Sequence, residues 1–279
     1  MSEIVAGTLY VVATPIGNLG DLTPRARAVL AGVTAIGAED TRNTAVLLGQ
    51  FGIQTPLIAV HDHNEGDIAA KLVVRLQAGD SLALVSDAGT PLVSDPGYRL
   101  VRAVREAGLP VVPVPGACAA IAALSVAGIP SDRFCFEGFL PVKGGARRER
   151  LGELLSETRT LVFYESSHRI EESLADLVAV FGAEREATLG RELTKRFETL
   201  LGPTLGAIQQ AVANDANQRK GEFVLVVRGS VDREAAQLAE GKRLYAKLAA
   251  HLKPSQAAKL AAELSGAPRK ALYVGGDAD

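Results

Sequence analysis

Five apolar runs punctuate the first 116 residues: "TLYVVAT" (8–14), "VTAIGAE" (33–39), "PLIAVH" (56–61), "SLALVSD" (81–87) and "PVVPVPG" (110–116). Each is too continuous for a half-exposed strand, and stretches of helical period separate them. That pattern predicts strands buried on both faces, joined by crossover helices in a largely parallel sheet. Local punctuation agrees. Thr23-Pro24 reads as a cap followed by a first-turn proline, Asn64-Glu65 opens "NEGDIAAKLVVRLQAG", and Gly79 and Gly108 close two helices.

From about residue 130 the rhythm changes. "RFCFEGFL", "RTLVFYES", "EREATLGREL", "RFETLLGP" and "GEFVLVVRG" read as strands with helices after only some of them, which predicts a mixed sheet in a second domain. The Ala/Leu/Lys-rich remainder reads as a helical tail that turns at Gly266 and carries Arg269 and Lys270, resembling a small helix-turn-helix. The expected division is 1–128, 129–230 and 231–279.

At 279 residues and 47% hydrophobic, the chain can bury one or two large cores, and its polarity excludes a membrane protein. "MSEIVAGTLYVVATPIG" lacks a basic start and a long apolar run, so a cytoplasmic location is expected. Cys118 and Cys135 have no C-x-x-C partner and read as small core residues rather than disulfide or zinc ligands. A net charge of −2 gives no global polyanion footprint, so any nucleic-acid contact must be a local patch.

Parallel sheets bind ligands beyond the carboxyl ends of their strands. Here those ends carry "ATPIGNLGDLTPR", "AEDTRNT", "HDHNE", "SDAGTPLVSDPG" and "PVPGACAA". Asp95-Pro96 reads as a helix cap with proline at the first helical position, whereas Ser86-Asp87-Ala88-Gly89 has no such explanation. No G-x-G-x-x-G turn or phosphate-binding P-loop follows any strand, which removes the usual support for dinucleotides and triphosphates. His61 and His63 alternate as H-x-H without a third ligand, so no metal is expected.

Taken together, "LYVVATPIGNLGDLTPRA", "AEDTR", "HDHNE", "LVSDAGTPLVSDPG", "VPVPGACAAIAALSVAGIPSDRFCFEGFLP", "FYESSHR", "GRELTKRFE" and "KGEFVLVV" resemble the ribosomal RNA small subunit methyltransferase I family, of the tetrapyrrole methylase superfamily. The resemblance runs nearly end to end and includes "SQAAKLAAELSG" in the tail. It implies a two-domain tetrapyrrole-methylase-like α/β fold with S-adenosyl-L-methionine in the cleft between the domains, a homodimer, and 2′-O-ribose methylation of a decoding-centre cytidine in small-subunit ribosomal RNA. It also implies that Asp87, Ala88, Gly89, Ser94 and Asp95 line the methionine and ribose side of the cofactor. Ala117, Cys118, Ala119 and Ala120 lie beside it, Pro15 flanks it, and the segments at Phe163 and at Gly221-Glu222 close over adenine. Asp87 is expected to orient the cofactor's polar groups, with Gly89 letting backbone pass close.

Displacement at a sulfonium methyl needs an aligned hydroxyl that gives up its proton. Glu39 and Asp40 are the candidates for that work, with capping of the following helix as the competing role for Asp40. For RNA the candidates are Arg42, His63, Lys195 and Arg196, together with Lys143, Arg147 and Arg148 in "VKGGARRER", read as a glycine-hinged basic loop. Arg219 and Lys220 add a further patch. Two other readings stand beside this one: a tetrapyrrole C-methylase, and a non-catalytic ribosome-assembly factor that binds RNA.

Overall fold

A computed structural model describes residues 4–61, 65–231 and 233–272, with backbone alone for 233–236 and 239. The chain divides into two compact units, 1–122 with 192–199, and 123–191 with 200–279.

The first unit alternates strand and helix: β1 (Leu9–Val12), α1 (Pro24–Gly32), β2 (Ala35–Ala38), α2 (Thr41–Gln50), β3 (Leu57–Ala59), α3 (Glu65–Gln77), β4 (Leu82–Val85), α4 (Tyr98–Glu106) and β5 (Val111–Val114). The five strands form one sheet in the order β3-β2-β4-β1-β5, and every pair in it is parallel. All five predicted runs are therefore strands. Alternate residues feed two cores. Tyr10, Val12, Ile36, Ala83 and Val85 pack with α1 and α2, and Leu9, Ala35, Leu82 and Leu84 pack with α3 and α4. Because β1 runs on to β2 over one face and β4 runs on to β5 over the other, the carboxyl ends of β1 and β4 form a topological switch point.

Thr23 caps α1 as its sequence predicts, accepting from the Ala26 amide with Pro24 behind it. The expectation for Asp95-Pro96 is overturned. Helix α4 starts at Tyr98 after Gly97 at φ 125°, and Gly97 supplies no side-chain cap. The cap comes from Glu65 on α3, a carboxylate 4% exposed whose Oε1 accepts from the Arg99 and Leu100 amides.

Helix α5 (Ala119–Val126) begins in the first unit and ends in the second, which continues with β6 (Phe134–Phe139), α6 (Gly144–Leu154), β7 (Thr160–Ser166), α7 (Ile170–Phe181), β8 (Ala187–Arg191), β9 (Thr199–Leu201), α8 (Leu205–Asn214) and β10 (Glu222–Val227). The sheet order is β6-β7-β10-β8-β9, with β6 parallel to β7 and β10 antiparallel to β7 and β8, so this sheet is mixed. One core sits between the sheet and α6, α7 and α8, built on Leu151, Phe163, Leu174, Ile208, Phe223 and Leu225. The tail is α9 (Arg233–Ala249), α10 (Pro254–Ser265) and α11 (Arg269–Leu272), closed around Ala261, Ala267 and Leu272.

The segment 142–150 is not a loop: α6 begins at Gly144 and runs through it. Arg147 lies inside, 3% exposed, with its Nε donating to Asp176 of α7 at 2.6 Å. Its assignment to RNA is corrected accordingly, because a guanidinium buried against a carboxylate has no face to offer a phosphate. Arg148 donates to the same carboxylate at 3.0 Å but stays exposed, as does Lys143. Among the described residues no helix is long and apolar enough to cross a membrane.

Candidate functional site

The loops leaving β1 and β4 are tied together at the switch point. Thr14 and Gly89 exchange both backbone hydrogen bonds, at 2.8 and 3.1 Å, in an isolated antiparallel bridge. The Thr14 hydroxyl lies 3.4 Å from the Ser86 carbonyl, and Thr90 Oγ1 donates to the Ala117 carbonyl at 3.0 Å. Gly89 sits at φ 81°, and a β-carbon there would meet Ile16 at 3.2 Å. Both the backbone region and the space call for glycine. Pro15 is buried in the same strip, and Ala117, Cys118 and Ala119 stand half-buried at the start of α5, followed by buried Ala120.

Asp87 is exposed, and each of its oxygens is engaged: Oδ1 accepts from the Asp40 amide at 3.1 Å and Oδ2 from Asn43 Nδ2 at 2.8 Å. It therefore latches the end of β4 to the end of β2. Asp40 is the N-cap of α2, accepting from the Arg42 amide, and it also pairs with the Arg42 guanidinium at 2.6 Å. Those Arg42 hydrogen bonds hold the Asp40 carboxyl down at about 2. Asp95 behaves oppositely. Burial pushes its pKa up to about 6; a hydrogen bond with Ser86 opposes the rise, and the nearby charges of Glu39 and Asp87 add to it. Glu39, half-buried, completes this group of three carboxyls.

Residues 192–199 return to the first unit and lay Lys195 across the β1 loop. A β-carbon on Gly17 would overlap the Lys195 side chain, and Lys195 Nζ donates to Glu192 at 2.8 Å. Arg196 is exposed beside the Phe197 ring, 5.5 Å from its centroid. Among the described residues the non-glycine residues at positive φ are Leu92, Ser94, Glu192 and Thr194, so they fall in just two loops of this unit. Such backbone persists only where surrounding contacts enforce it, and it concentrates at functional sites.

The remaining candidates lie elsewhere. Phe163 is 1% exposed in the second unit's core, so its ring is committed to packing and only its main chain can meet a ligand. Gly221, at φ 100°, leads into exposed Glu222 at the start of β10. Arg219 donates to the Val212 and Ala213 carbonyls in the last turn of α8, and Lys220 is exposed. His63 falls outside the described residues. Among those described, no group of three or more His, Cys, Asp or Glu is arranged to hold a metal ion. Sequence reasoning missed Asn43, Glu192 and Ser86 as partners. The spacing signals were present, with Asn43 three residues after a cap and Glu192 three before Lys195.

The family model for Tetrapyrrole (Corrin/Porphyrin) Methylases matches residues 8–209, and that for the RsmI C-terminal HTH domain matches 235–274. The chain is 63% identical over 269 residues to "Ribosomal RNA small subunit methyltransferase I" of Xylella fastidiosa strain Temecula1, covering 96% of this chain and 98% of that protein. It is 55% identical to the protein of the same name from Escherichia coli O157:H7, covering 96% and 93%. Among solved structures, uroporphyrin-III-C-methyltransferase from Thermus thermophilus superposes with a TM-score of 0.53 at 21% identity, covering 80% of this chain and 94% of that one. A cobalt precorrin-4 methyltransferase does so with a TM-score of 0.54 at 15% identity, covering 79% and 94%. These two likenesses speak to the fold. With both family models matched in chain order and more than half of its residues shared with full-length relatives, the chain belongs to the ribosomal RNA small subunit methyltransferase I family of tetrapyrrole methylases.

Proposed function

We propose that the protein transfers a methyl group from S-adenosyl-L-methionine to the ribose 2′-hydroxyl of a decoding-centre cytidine in small-subunit ribosomal RNA, in the cytoplasm. The observation that carries the reading is the end-to-end likeness, tail included, to relatives named for small-subunit ribosomal RNA methylation.

The first unit's residues fit such a donor. Burial raises Asp95 and the charges of Glu39 and Asp87 add to the rise, and a ligand bearing a sulfonium and an ammonium relieves that added repulsion. When bound, S-adenosylmethionine supplies an electrophilic methyl carbon. Asp87, Ala88, Gly89, Ser94 and Asp95 are assigned to holding it, with Pro15 and residues 117–120 packing close and the main chain at Phe163, Gly221 and Glu222 reserved for its adenine. Asp40, held at about 2 by Arg42, is too weak a base to accept a hydroxyl proton near neutrality and is left as a cap and Arg42 partner. Glu39 keeps the positioning role. Arg42, Lys195 and Arg196 are assigned to RNA phosphates.

Labelled methyl transfer to small ribosomal subunits from cells lacking the protein, followed by mapping of the alkali-resistant linkage, tests the reading. One labelled decoding-centre ribose is expected. Cofactor binding without label on the subunits would redirect the search to tetrapyrroles, and no binding at all would leave a non-catalytic RNA-binding factor.

A pH dependence follows from Asp95. Cofactor affinity is expected to fall as pH drops through about 6, where Asp95 gains its proton, and Asp95→Asn is expected to flatten that limb. The stability sign is opposite. The native state holds this proton to higher pH than the unfolded chain, so between about 4 and 6 rising pH costs stability. Asp95→Asn should therefore unfold at a higher temperature than wild type at pH 7.5. Equilibrium dialysis from pH 5 to 8 and thermal melts measure the two; a wild-type limb that survives in Asp95→Asn excludes this residue as its source.

A further inference from the structure

Charge is unevenly spread along this chain. Residues 235–274 contain seven Lys and Arg against two Glu, a net of +5, in a chain whose total is −2. The remainder is therefore at −7, and the cations are concentrated where the helices pack tightly on one another. Gly241 on α9 is close enough to Leu272 of α11 that a β-carbon would fall 2.7 Å from Leu272 Cδ2.

The cations gather at one end of that packed unit. Lys247 lies in the last turn of α9, and the backbone turns back through Leu252 to Lys253, the residue before Pro254 at the start of α10. Helix α11 brings its first residue to the same place, because Arg269 Nη2 donates to the Ser255 carbonyl at 3.2 Å, with Lys270 next to it. Lys247, Lys253, Arg269 and Lys270 are all exposed; Lys247 feels the charge of Glu240, and none of the four forms a close ion pair among the described residues. Among the described residues of the tail the ion pairs are Arg243–Glu240 at 2.6 Å and Lys259–Glu263 at 4.0 Å, which involve other cations. Solvated charge on a helix face is usually mixed in sign. Here four like charges converge with only the charge of Glu240 near Lys247 to offset them, and that costs stability unless something anionic meets them.

We propose that this end of the helical tail, Lys247, Lys253, Arg269 and Lys270, grips the phosphate backbone of small-subunit ribosomal RNA and holds the substrate particle while the first unit carries out transfer. The proposal rests on the ribosomal RNA reading above and assigns the part that supplies affinity. Near the candidate methyl-transfer site Arg42 and Lys195 are themselves paired with Asp40 and Glu192, so a second basic element adds the phosphate contacts a polyanion needs.

The test compares the full-length protein with Lys253→Ala/Arg269→Ala/Lys270→Ala, and with a control that removes three exposed charges from the first unit, Arg25→Ala/Lys71→Ala/Arg105→Ala. Binding to small ribosomal subunits and methyl transfer are both followed across salt concentration. For the tail variant KM for subunits is expected to rise about tenfold or more near physiological salt, with kcat unchanged. The slope of log affinity against log salt is expected to fall by about one for each phosphate left without its cation. The control is expected to stay near wild type, and Arg269→Lys to recover part of the loss. A tail variant with wild-type KM and salt slope, or a control that loses as much, overturns the proposal. Wild-type protein that binds subunits through the tail yet transfers no methyl overturns the methyltransferase reading and leaves the tail's role upheld. Wild-type protein that fails to bind subunits overturns both.

Discussion

Asp87→Ala is expected to lower kcat/KM by about 100-fold or more while leaving the unfolding temperature nearly unchanged. The side chain is exposed, and the groups it holds, the Asp40 amide and Asn43, can turn to water when it is gone, so the fold survives. What disappears is the latch that fixes the end of β2, with Glu39, against the end of β4. A displacement of about 1 Å in a reacting constellation is enough for a loss of this size. Asp87→Asn separates latch from charge, since its carbonyl oxygen can still accept from the Asp40 amide and its amide can be answered by a flipped Asn43. Both variants remove a charge that raises Asp95, so in both the acid limb of cofactor affinity is expected to move below about 6. That shift follows from the missing charge alone, so the loss of affinity above the limb is what reports contact with the cofactor. Calorimetric titration of S-adenosylmethionine across pH, beside steady-state kinetics, decides it: wild-type affinity and an unmoved limb in Asp87→Ala would show that Asp87 does not touch the cofactor.

That two-sided role was only half legible in the sequence. "SDAGT" announces a ligand loop because no turn or cap explains it, but Asp87's partners arrive from the N-cap and first turn of α2, 44 to 47 residues away. The five strands of the first sheet were readable because burial on both faces makes each run continuously apolar. The Thr23 cap was readable because its hydrogen bond spans three residues. Asp95-Pro96 misled for the complementary reason. It has the composition of a cap, but Leu92 and Ser94 at positive φ and then Gly97 turn the chain first, and a carboxylate 34 residues upstream caps the helix instead. Residues 142–150 misled in the same way. Two adjacent glycines favour a loop on local propensity, but the Ala, Arg and Glu residues after them are good helix formers and the Arg147–Asp176 pairing fixes the helix. Position and chemistry of a charge are written in the sequence; its partner across the fold is not.

Arg147 makes that distinction measurable. Arg147→Met is expected to destabilise the protein by about 3–5 kcal/mol, the usual loss when one member of a buried ion pair is removed. Asp176, 11% exposed, would then retain only Arg148, whose side chain is 56% exposed, and the Val142 carbonyl would lose its donor. In the intact protein burial opposes the Asp176 charge, but hydrogen bonds from Arg147 and Arg148 outweigh it and keep its carboxyl below the ordinary range. The double variant Arg147→Met/Asp176→Leu removes both charges together and is expected to recover most of the lost stability, because the cost lies in the stranded carboxylate rather than in the missing attraction. Urea unfolding of the two single variants and the double variant closes the cycle. If Arg147→Met costs less than about 1 kcal/mol, water reaches Asp176 and the pair is not buried in solution. The same variants separate structure from substrate binding: folded Arg147→Met/Asp176→Leu protein should keep the wild-type salt dependence for ribosomal subunits, since the guanidinium it lacks is directed at α7 and not at solvent. A reduced salt slope in that protein would return Arg147 to the RNA.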